Sequence, residues 1–100
     1  MLFIKENLST IPNKKFTKEE LIQAVRQDII GELEAINQYD YHQMSTDNIV
    51  AKKILSTIRD EEKVHVGELF TLLRYLDPTE ADFFLEGESE AKKIIESLKQ

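Results

Sequence analysis

Two long stretches of helical periodicity, separated by one short polar cluster, constrain the fold of this 100-residue chain more than any other feature. Apolar residues recur every three or four positions over residues 17–44 and again over 47–76. The cluster between them, STDN at residues 45–48, is rich in residues that favour turns and helix N-caps. The sequence therefore predicts an all-α protein built on an antiparallel two-helix hairpin.

Local signals mark where the first helix begins. Thr17 is followed three residues later by Glu20, the spacing of a capping box. Residues 1–16 come before this signal and are predicted to form an irregular lead-in. We treat residues 1–100 as a single domain, because a chain of this length forms one small hydrophobic core.

The second helix is expected to end where Asp77 precedes Pro78, because proline disfavours helical conformation in the residue before it. Proline is also well suited to the first turn of a new helix. Beyond it we predict two short helices, over 78–86 and 88–98. Gly87 separates them in this interpretation, since glycine commonly follows the last residue of a helix.

A hairpin of two helices cannot enclose a core by itself. Each helix buries one face against the other and leaves a second apolar face in water. Pairing two hairpins into a four-helix bundle would cover those faces, so we predict a homodimer. The predicted stripes are Leu21, Val25, Ile29, Ile36 and Tyr39 on the first helix, and Leu55, Ile58, Leu69, Leu72 and Leu73 on the second.

Composition narrows the classes of function. The chain has 13 Lys and Arg against 19 Asp and Glu, a net charge of −6. This charge argues against nucleic-acid binding and favours cationic partners. The lack of cysteine excludes disulfides, thiolate metal sites and a cysteine nucleophile. No apolar run approaches the roughly 20 residues of a membrane span, and the start lacks a signal-peptide pattern, so we expect a cytoplasmic protein without membrane contact.

Two carboxylates and an imidazole lie on the apolar stripes. Glu32 follows Ile29 by three residues and precedes Ile36 by four, while Glu62 and His65 fall within the second stripe. An unpaired buried carboxylate costs several kcal/mol or becomes protonated. Neither stripe offers an Arg or Lys at a facing position. A bound metal cation would compensate these charges, so the pattern predicts a metal site.

The spacing of these residues indicates the kind of metal site. Carboxylate-bridged di-iron bundles use one Glu from each of two helices and a Glu-x-x-His pair from each of the other two. This chain supplies half of that set, and a twofold dimer supplies all of it. By analogy with these bundles we predict a site for two metal ions per dimer, with Fe as the metal and Glu32, Glu62 and His65 as its ligands. Calcium, manganese and zinc are the alternative metals.

Two further residues have two interpretations each. Tyr39 lies two turns beyond Glu32, so its hydroxyl either hydrogen-bonds a metal ligand or belongs to a plain core tyrosine. Glu34 is either solvated or part of a surface position through which metal enters. The function also has alternatives at this point: an oxidising enzyme, a non-catalytic metal-binding dimer that buffers metal or is stabilised by it, or a metal-free helical interaction module.

Two segments carry a resemblance to a known family. EELIQAVRQDIIGELEAINQYDYH and ILSTIRDEEKVHVGELFTLLRYLDP, which fall within residues 16–78, resemble the encapsulated ferritin-like proteins. These are two-helix members of the ferritin-like superfamily. The resemblance implies dimers with a di-iron site at their interface, assembled into a larger ring inside an encapsulin nanocompartment.

The resemblance also implies an activity and residue roles. It implies a ferroxidase that oxidises Fe(II) to Fe(III) for iron storage and detoxification. Glu32, Glu62 and His65 match the family's iron ligands, Tyr39 matches its tyrosine beside them, and Glu34 matches an acidic position where metal enters. Gly31 stands where some members have another acid. Relatives occur as shell cargo and as the leading domain of shell fusions, and both alternatives stay open.

Overall fold

The computed structural model describes residues 14–99, which fold into three α-helices without a strand in that range. Helix α1 covers Lys18–Met44, α2 covers Ile49–Leu76 and α3 covers Pro78–Ser97. The first two helices pack side by side as an antiparallel hairpin. The all-α hairpin prediction is therefore confirmed, while most of the predicted lead-in lies outside the described residues.

The capping box at the start of α1 is present as predicted. The backbone N–H of Thr17 donates to Oε1 of Glu20 at 2.8 Å, and the backbone N–H of Glu20 donates to Oγ1 of Thr17 at 3.1 Å. These two bonds satisfy donors that have no partner within the helix. They fix the first helical residue as Lys18.

Helix α2 begins at Ile49, two residues later than the sequence predicts. Asn48 is the N-cap, because its side-chain oxygen accepts the backbone N–H of Ala51 at 3.0 Å. The turn is closed from the other side by Lys52, whose Nζ donates to the carbonyl of Gln43 at 2.8 Å. The polar cluster thus forms a tight connection between the helices.

The hydrophobic core lies at the end of the hairpin away from this turn. Its buried members are Ile22, Val25, Ile29 and Leu73, against which Leu69, Phe70 and Leu76 pack. Two predicted stripe positions are wrong for the single chain, since Leu21 is 37% exposed and Leu72 is 41% exposed. The face of α1 that meets α2 is centred on Ile22, and a neighbouring residue points about 100° away from it.

Helix α3 is one continuous helix, which corrects the prediction of separate helices over 78–86 and 88–98. Gly87 does not adopt the positive φ that ends a helix. The residues around it are good helix formers, and a Glu88–Lys92 ion pair at 3.9 Å links the next turn. These local preferences outweigh the modest cost of one interior glycine.

Much apolar surface stays exposed on the single chain. No residue of α3 is buried, and Phe83, Leu85 and Leu98 are each more than half exposed. Within residues 14–99, no helix is both long enough and apolar enough to cross a membrane. The exposed faces are of the kind that association with another hairpin would cover.

Truncation of Leu73 tests where the core lies. Leu73 is 2% exposed, so Leu73→Ala is expected to lower the free energy of unfolding by about 2–5 kcal/mol through lost burial and a cavity. Leu73→Met keeps the volume and is expected to cost less than about 1.5 kcal/mol. Urea unfolding of metal-free protein at one fixed concentration measures both. Equal losses for the two variants would contradict this core.

Substitution of Gly87 tests the continuity of α3. A Cβ at this position would meet no atom within 4 Å, and the backbone is helical. Gly87→Ala is therefore expected to stabilise α3 by about 1 kcal/mol. Slower amide hydrogen exchange across α3 is the measurement. Faster exchange would instead indicate a helix end at Gly87, where alanine would be strained.

Candidate metal centre

Three predicted ligand residues meet across the hairpin. Glu32 projects from α1, and Glu62 and His65 project from α2. Nδ1 of His65 lies 3.6 Å from Oε2 of Glu32 and 3.5 Å from Oε2 of Glu62. One ligand atom from each residue lies within 4.8 Å of the other two. The three atoms are close enough together to surround one face of an ion.

Helix geometry explains this convergence. Glu62 and His65 are three residues apart, so they lie on one face of α2, one above the other. Glu32 lies one turn beyond Ile29, the last buried aliphatic side chain of the core on α1. The packed core therefore brings α1 against α2 just before the ligands, and the cluster sits at the edge of the apolar contact.

One oxygen of this cluster lacks a partner. The side chains of Glu32 and Glu62 are 18% exposed, whereas His65 is 49% exposed. Oε2 of Glu32 is buried and accepts no hydrogen bond from the part of the chain that the structure describes. A buried acceptor without a donor costs about 1–3 kcal/mol, and more when it is charged.

The donor set fits a transition-metal ion. Carboxylate oxygens suit iron and manganese, and imidazole nitrogen suits iron and zinc. A cation would satisfy the partnerless Glu32 oxygen and screen the repulsion between the two carboxylates. The half-exposed His65 ring shows that the cluster opens to the outside of the hairpin, so the single chain does not enclose an ion.

The other two predicted site residues stay predictions. Tyr39 is half-buried on α1 and makes no side-chain hydrogen bond to any residue between 14 and 99. Glu34 is exposed and lies in no ion pair of the described chain. The structure thus brings neither residue into the three-residue cluster of the single chain.

A charged cluster that the sequence analysis missed lies on the turn side of the ligands. Nη1 of Arg59 donates to Oδ1 of Asp40 at 2.6 Å, and Nε of Arg59 donates to Oδ1 of Asp60 at 3.1 Å. Nζ of Lys63 lies 3.5 Å from the same Asp60 oxygen. The alternating charges of Arg59, Asp60 and Lys63 along one helix were a signal for part of this cluster, whereas the pairing with Asp40 depends on the register of the two helices.

These bonds shift the ionisation of their partners. The hydrogen bond from Arg59, with a second from Gln43, holds the pKa of Asp40 below its ordinary value of about 3.8. The pKa of Asp60 is also lowered by Arg59. In return, the Asp40 and Asp60 carboxylates raise the pKa of Arg59. The cluster therefore stays charged over the neutral range.

A second ion-paired group joins α1 to the start of α3. The Nε and Nη2 atoms of Arg26 each lie 2.9 Å from Oε2 of Glu80, and Nη2 lies 3.9 Å from Oδ2 of Asp77. The Asp77 side chain also caps α3 by accepting the backbone N–H of Glu80 at 3.1 Å. This group fixes the direction in which α3 leaves the hairpin.

Comparison with known proteins gives two related sequences, while no protein-family model matches the chain. A ferritin-like-encapsulin shell fusion protein from Pyrococcus furiosus is 40% identical over 82 residues, which are 82% of this chain and 24% of the relative. The encapsulin nanocompartment cargo protein EncC from Myxococcus xanthus is 37% identical over 91 residues, which are 91% of this chain and 64% of the relative. The chain thus spans less than two thirds of either relative.

A solved structure matches both the fold and the sequence. The crystal structure of the encapsulated ferritin domain from Pyrococcus furiosus superposes with a TM-score of 0.83 at 38% identity, covering 90% of this chain and 93% of that domain. The fold is thus that of a ferritin-like helical protein. The chain belongs to the encapsulated ferritin family, and the predicted resemblance is confirmed.

The lowered pKa of Asp40 predicts how stability depends on pH. A carboxyl whose pKa is depressed by folding stabilises the native state fully above its unfolded pKa, and this contribution disappears as pH falls through the folded pKa. Asp40→Asn is therefore expected to lower the free energy of unfolding at pH 6, with a difference from wild type that shrinks as pH falls below about 3.8. Urea unfolding at several pH values measures it. A difference independent of pH would contradict the assignment.

Proposed function

We propose that this chain is a ferroxidase that oxidises Fe(II) to Fe(III) at a di-iron site shared by two copies. The observation that carries the proposal is the convergence of Glu32, Glu62 and His65, with one buried Glu32 oxygen left without a partner. Membership of a ferritin-like family supports an iron-related role.

The incomplete enclosure of the cluster supports the shared site. His65 is 49% exposed, and apolar neighbours of the ligands in the sequence are also exposed: Leu33 by 46% and Val64 by 63%. A twofold partner would cover these side chains and bring a second Glu32, Glu62 and His65 to the same place. Residues of the second copy would thus complete the set of ligands.

Charge balance supports two divalent ions in such a dimer. Four carboxylates carry −4, two neutral imidazoles carry none, and two Fe(II) ions carry +4, so the loaded site is neutral. A neutral set of charges can be buried at far lower cost than the uncompensated carboxylates. This balance explains how acidic side chains are kept on the apolar face of a hairpin.

The protein's contribution to the reaction is to bind and orient the iron substrate. Two Fe(II) ions give up two electrons, which with two protons reduce O₂ to hydrogen peroxide or hydrogen peroxide to water, and the hard oxygen ligands favour the Fe(III) product. Glu32 and Glu62 would hold the iron through carboxylate oxygens, and His65 would supply a ring nitrogen as a further ligand. Coordination positions that the protein leaves open admit the oxidant.

A shell compartment is the proposed setting of this activity. One relative is a ferritin-like domain fused to an encapsulin shell, and the other is an encapsulin nanocompartment cargo protein. We propose that dimers of this chain assemble into a larger ring inside such a shell in the cytoplasm, where the oxidised iron is stored. In this proposal the Tyr39 hydroxyl hydrogen-bonds a metal ligand, and Glu34 belongs to the surface position through which metal enters.

The decisive experiment adds Fe(II) anaerobically to the protein and then admits air. Wild-type protein is expected to produce Fe(III) absorbance faster than buffer. Glu32→Ala, Glu62→Ala and His65→Ala are each expected to reduce the initial rate at least about tenfold, because each removes two ligands from a twofold site. Native mass spectrometry is expected to show two irons per dimer.

A matched control separates ligand loss from loss of charge. Glu61 is an exposed carboxylate next to Glu62, so Glu61→Gln is expected to keep a rate close to that of wild type. A wild-type rate equal to buffer, or an unchanged rate in Glu32→Ala, would refute the ferroxidase. Stoichiometric iron binding with no oxidation beyond the bound equivalents would instead identify a non-catalytic metal-binding dimer.

A further inference from the structure

The candidate metal centre lies between two inter-helix contacts of different kinds. On one side is the apolar core, which ends at Ile29 on α1. On the side nearer the turn is the Arg59–Asp40 hydrogen bond of 2.6 Å. Among residues 14–99, this is the one hydrogen bond between side chains that joins α1 to α2. The two carboxylates thus lie between the apolar core on one side and the Arg59–Asp40 hydrogen bond on the other.

When no cation is bound, the carboxylates of the candidate metal centre repel each other and so oppose the close packing of α1 and α2. Glu32 and Glu62 are both largely buried, and each carries a negative charge when ionised. Their ligand oxygens lie within 4.8 Å of each other, so the two charges repel, and the low local dielectric strengthens the repulsion. The buried core lies on one side of the cluster. On the other side the Arg59–Asp40 hydrogen bond joins the two helices between the cluster and the turn.

We propose that Arg59 and Asp40 are positioning residues that hold α1 and α2 together at the metal-free cluster, so that Glu32 and Glu62 are already in place when a metal ion arrives. This inference rests on the proposed function for its purpose. It concerns an added role for two residues that touch no ligand atom. Its physical content is preorganisation, which improves binding by lowering the cost of ordering the site.

The geometry of the cross-link suits this role. Arg59 comes three residues before Glu62, and Asp40 comes eight residues after Glu32, so the pair lies one to two turns from the ligands. The Arg59 side chain is only 21% exposed. Asp60 accepts from Nε of the same guanidinium at 3.1 Å and so holds its orientation.

The other side of the bond is also held in place. The side-chain amide of Gln43 donates to the Asp40 oxygen that Arg59 contacts, at 3.3 Å. Lys63 lies 3.5 Å from Asp60 and forms no hydrogen bond or ion pair with a side chain of α1 in the described range. Arg59 and Lys63 are therefore two cations near the ligands, of which one crosses between the helices and the other does not.

This difference allows a test based on the direction in which each variant changes the affinity for metal. Removing a positive charge near a cation site strengthens metal binding if simple electrostatics decides the affinity. Removing a positioning cross-link weakens binding, because the site must then be ordered by the metal. Arg59→Gln and Lys63→Gln each remove one positive charge, but only Arg59→Gln breaks the cross-link. Opposite results for the two variants would identify positioning.

The first measurement is anaerobic Fe(II) binding by equilibrium dialysis. Arg59→Gln is expected to raise the Kd about threefold to tenfold with the stoichiometry unchanged, since both copies in a dimer lose the contact. Lys63→Gln is expected to bind as tightly as wild type or more tightly. Arg59→Lys keeps the charge without the forked geometry and is expected to fall between wild type and Arg59→Gln.

A double-mutant cycle assigns the effect to the pair. Asp40→Asn is expected to weaken binding, and Asp40→Asn/Arg59→Gln is expected to bind about as tightly as the weaker of the two single variants, because breaking the same bond twice costs no more than breaking it once. Additive losses would overturn the pairing. Unchanged or tighter binding in Arg59→Gln would overturn the inference.

The second measurement needs no metal. The chain has no cysteine, so Gln38→Cys and Thr57→Cys place two spin labels at exposed positions on α1 and α2. With labelled chains diluted in unlabelled protein, the metal-free distance distribution is expected to be narrow and to broaden with Arg59→Gln but not with Lys63→Gln. If the distance distributions of wild type and Arg59→Gln coincide, the inference is overturned.

The two measurements separate the two hypotheses. If wild-type protein binds no Fe(II), the proposed function fails, and the distance distribution still decides whether Arg59 holds the helices together. If wild-type protein binds Fe(II) and Arg59→Gln binds it equally well, only the positioning role fails. Should Arg59→Gln not fold, as judged by circular dichroism, Arg59→Lys and Asp40→Asn carry the same comparison.

Discussion

Repulsion between two carboxylates on the apolar side of a helical hairpin is the constraint on which the rest of this structure depends. Glu32 and Glu62 face each other across α1 and α2, and one Glu32 oxygen has no donor in residues 14–99. The apolar core and the Arg59–Asp40 bond hold them there. A cation would relieve the repulsion, and a second hairpin would enclose the cation. The proposed shared metal site thus accounts together for the buried carboxylates, the half-exposed His65 and the uncovered apolar faces.

The sequence predicted the elements whose causes are local or periodic. The Thr17–Glu20 capping box involves neighbouring residues, and the Glu62–His65 spacing follows from helix geometry, so both appear in the structure. The place of Glu32 in the cluster was predictable because a carboxylate interrupts an apolar stripe. Identification of the family was also possible from the sequence, since the matching segments contain these same residues.

The sequence did not predict features that depend on how the helices pack. Which of Leu21 and Ile22 is buried depends on the rotation of α1 against α2, and the stripe alone allowed either. Gly87 carries the sequence signal of a helix end, but neighbouring helix formers continue α3 through it. The Arg59–Asp40 bond requires the relative register of two helices, so charge pattern within one helix does not reveal it.

The unbroken course of α3 has a mechanical consequence. A helix of 20 residues is about 30 Å long, and this one follows α2 directly after Asp77 and is paired with α1 near its start, where Arg26 reaches Glu80. A rotation of 10° at that attachment would displace the far tip by about 5 Å. The ion pairs of Arg26 with Asp77 and Glu80 therefore bear on where the far end of α3 lies, because a small angle near the core corresponds to a large displacement at the tip.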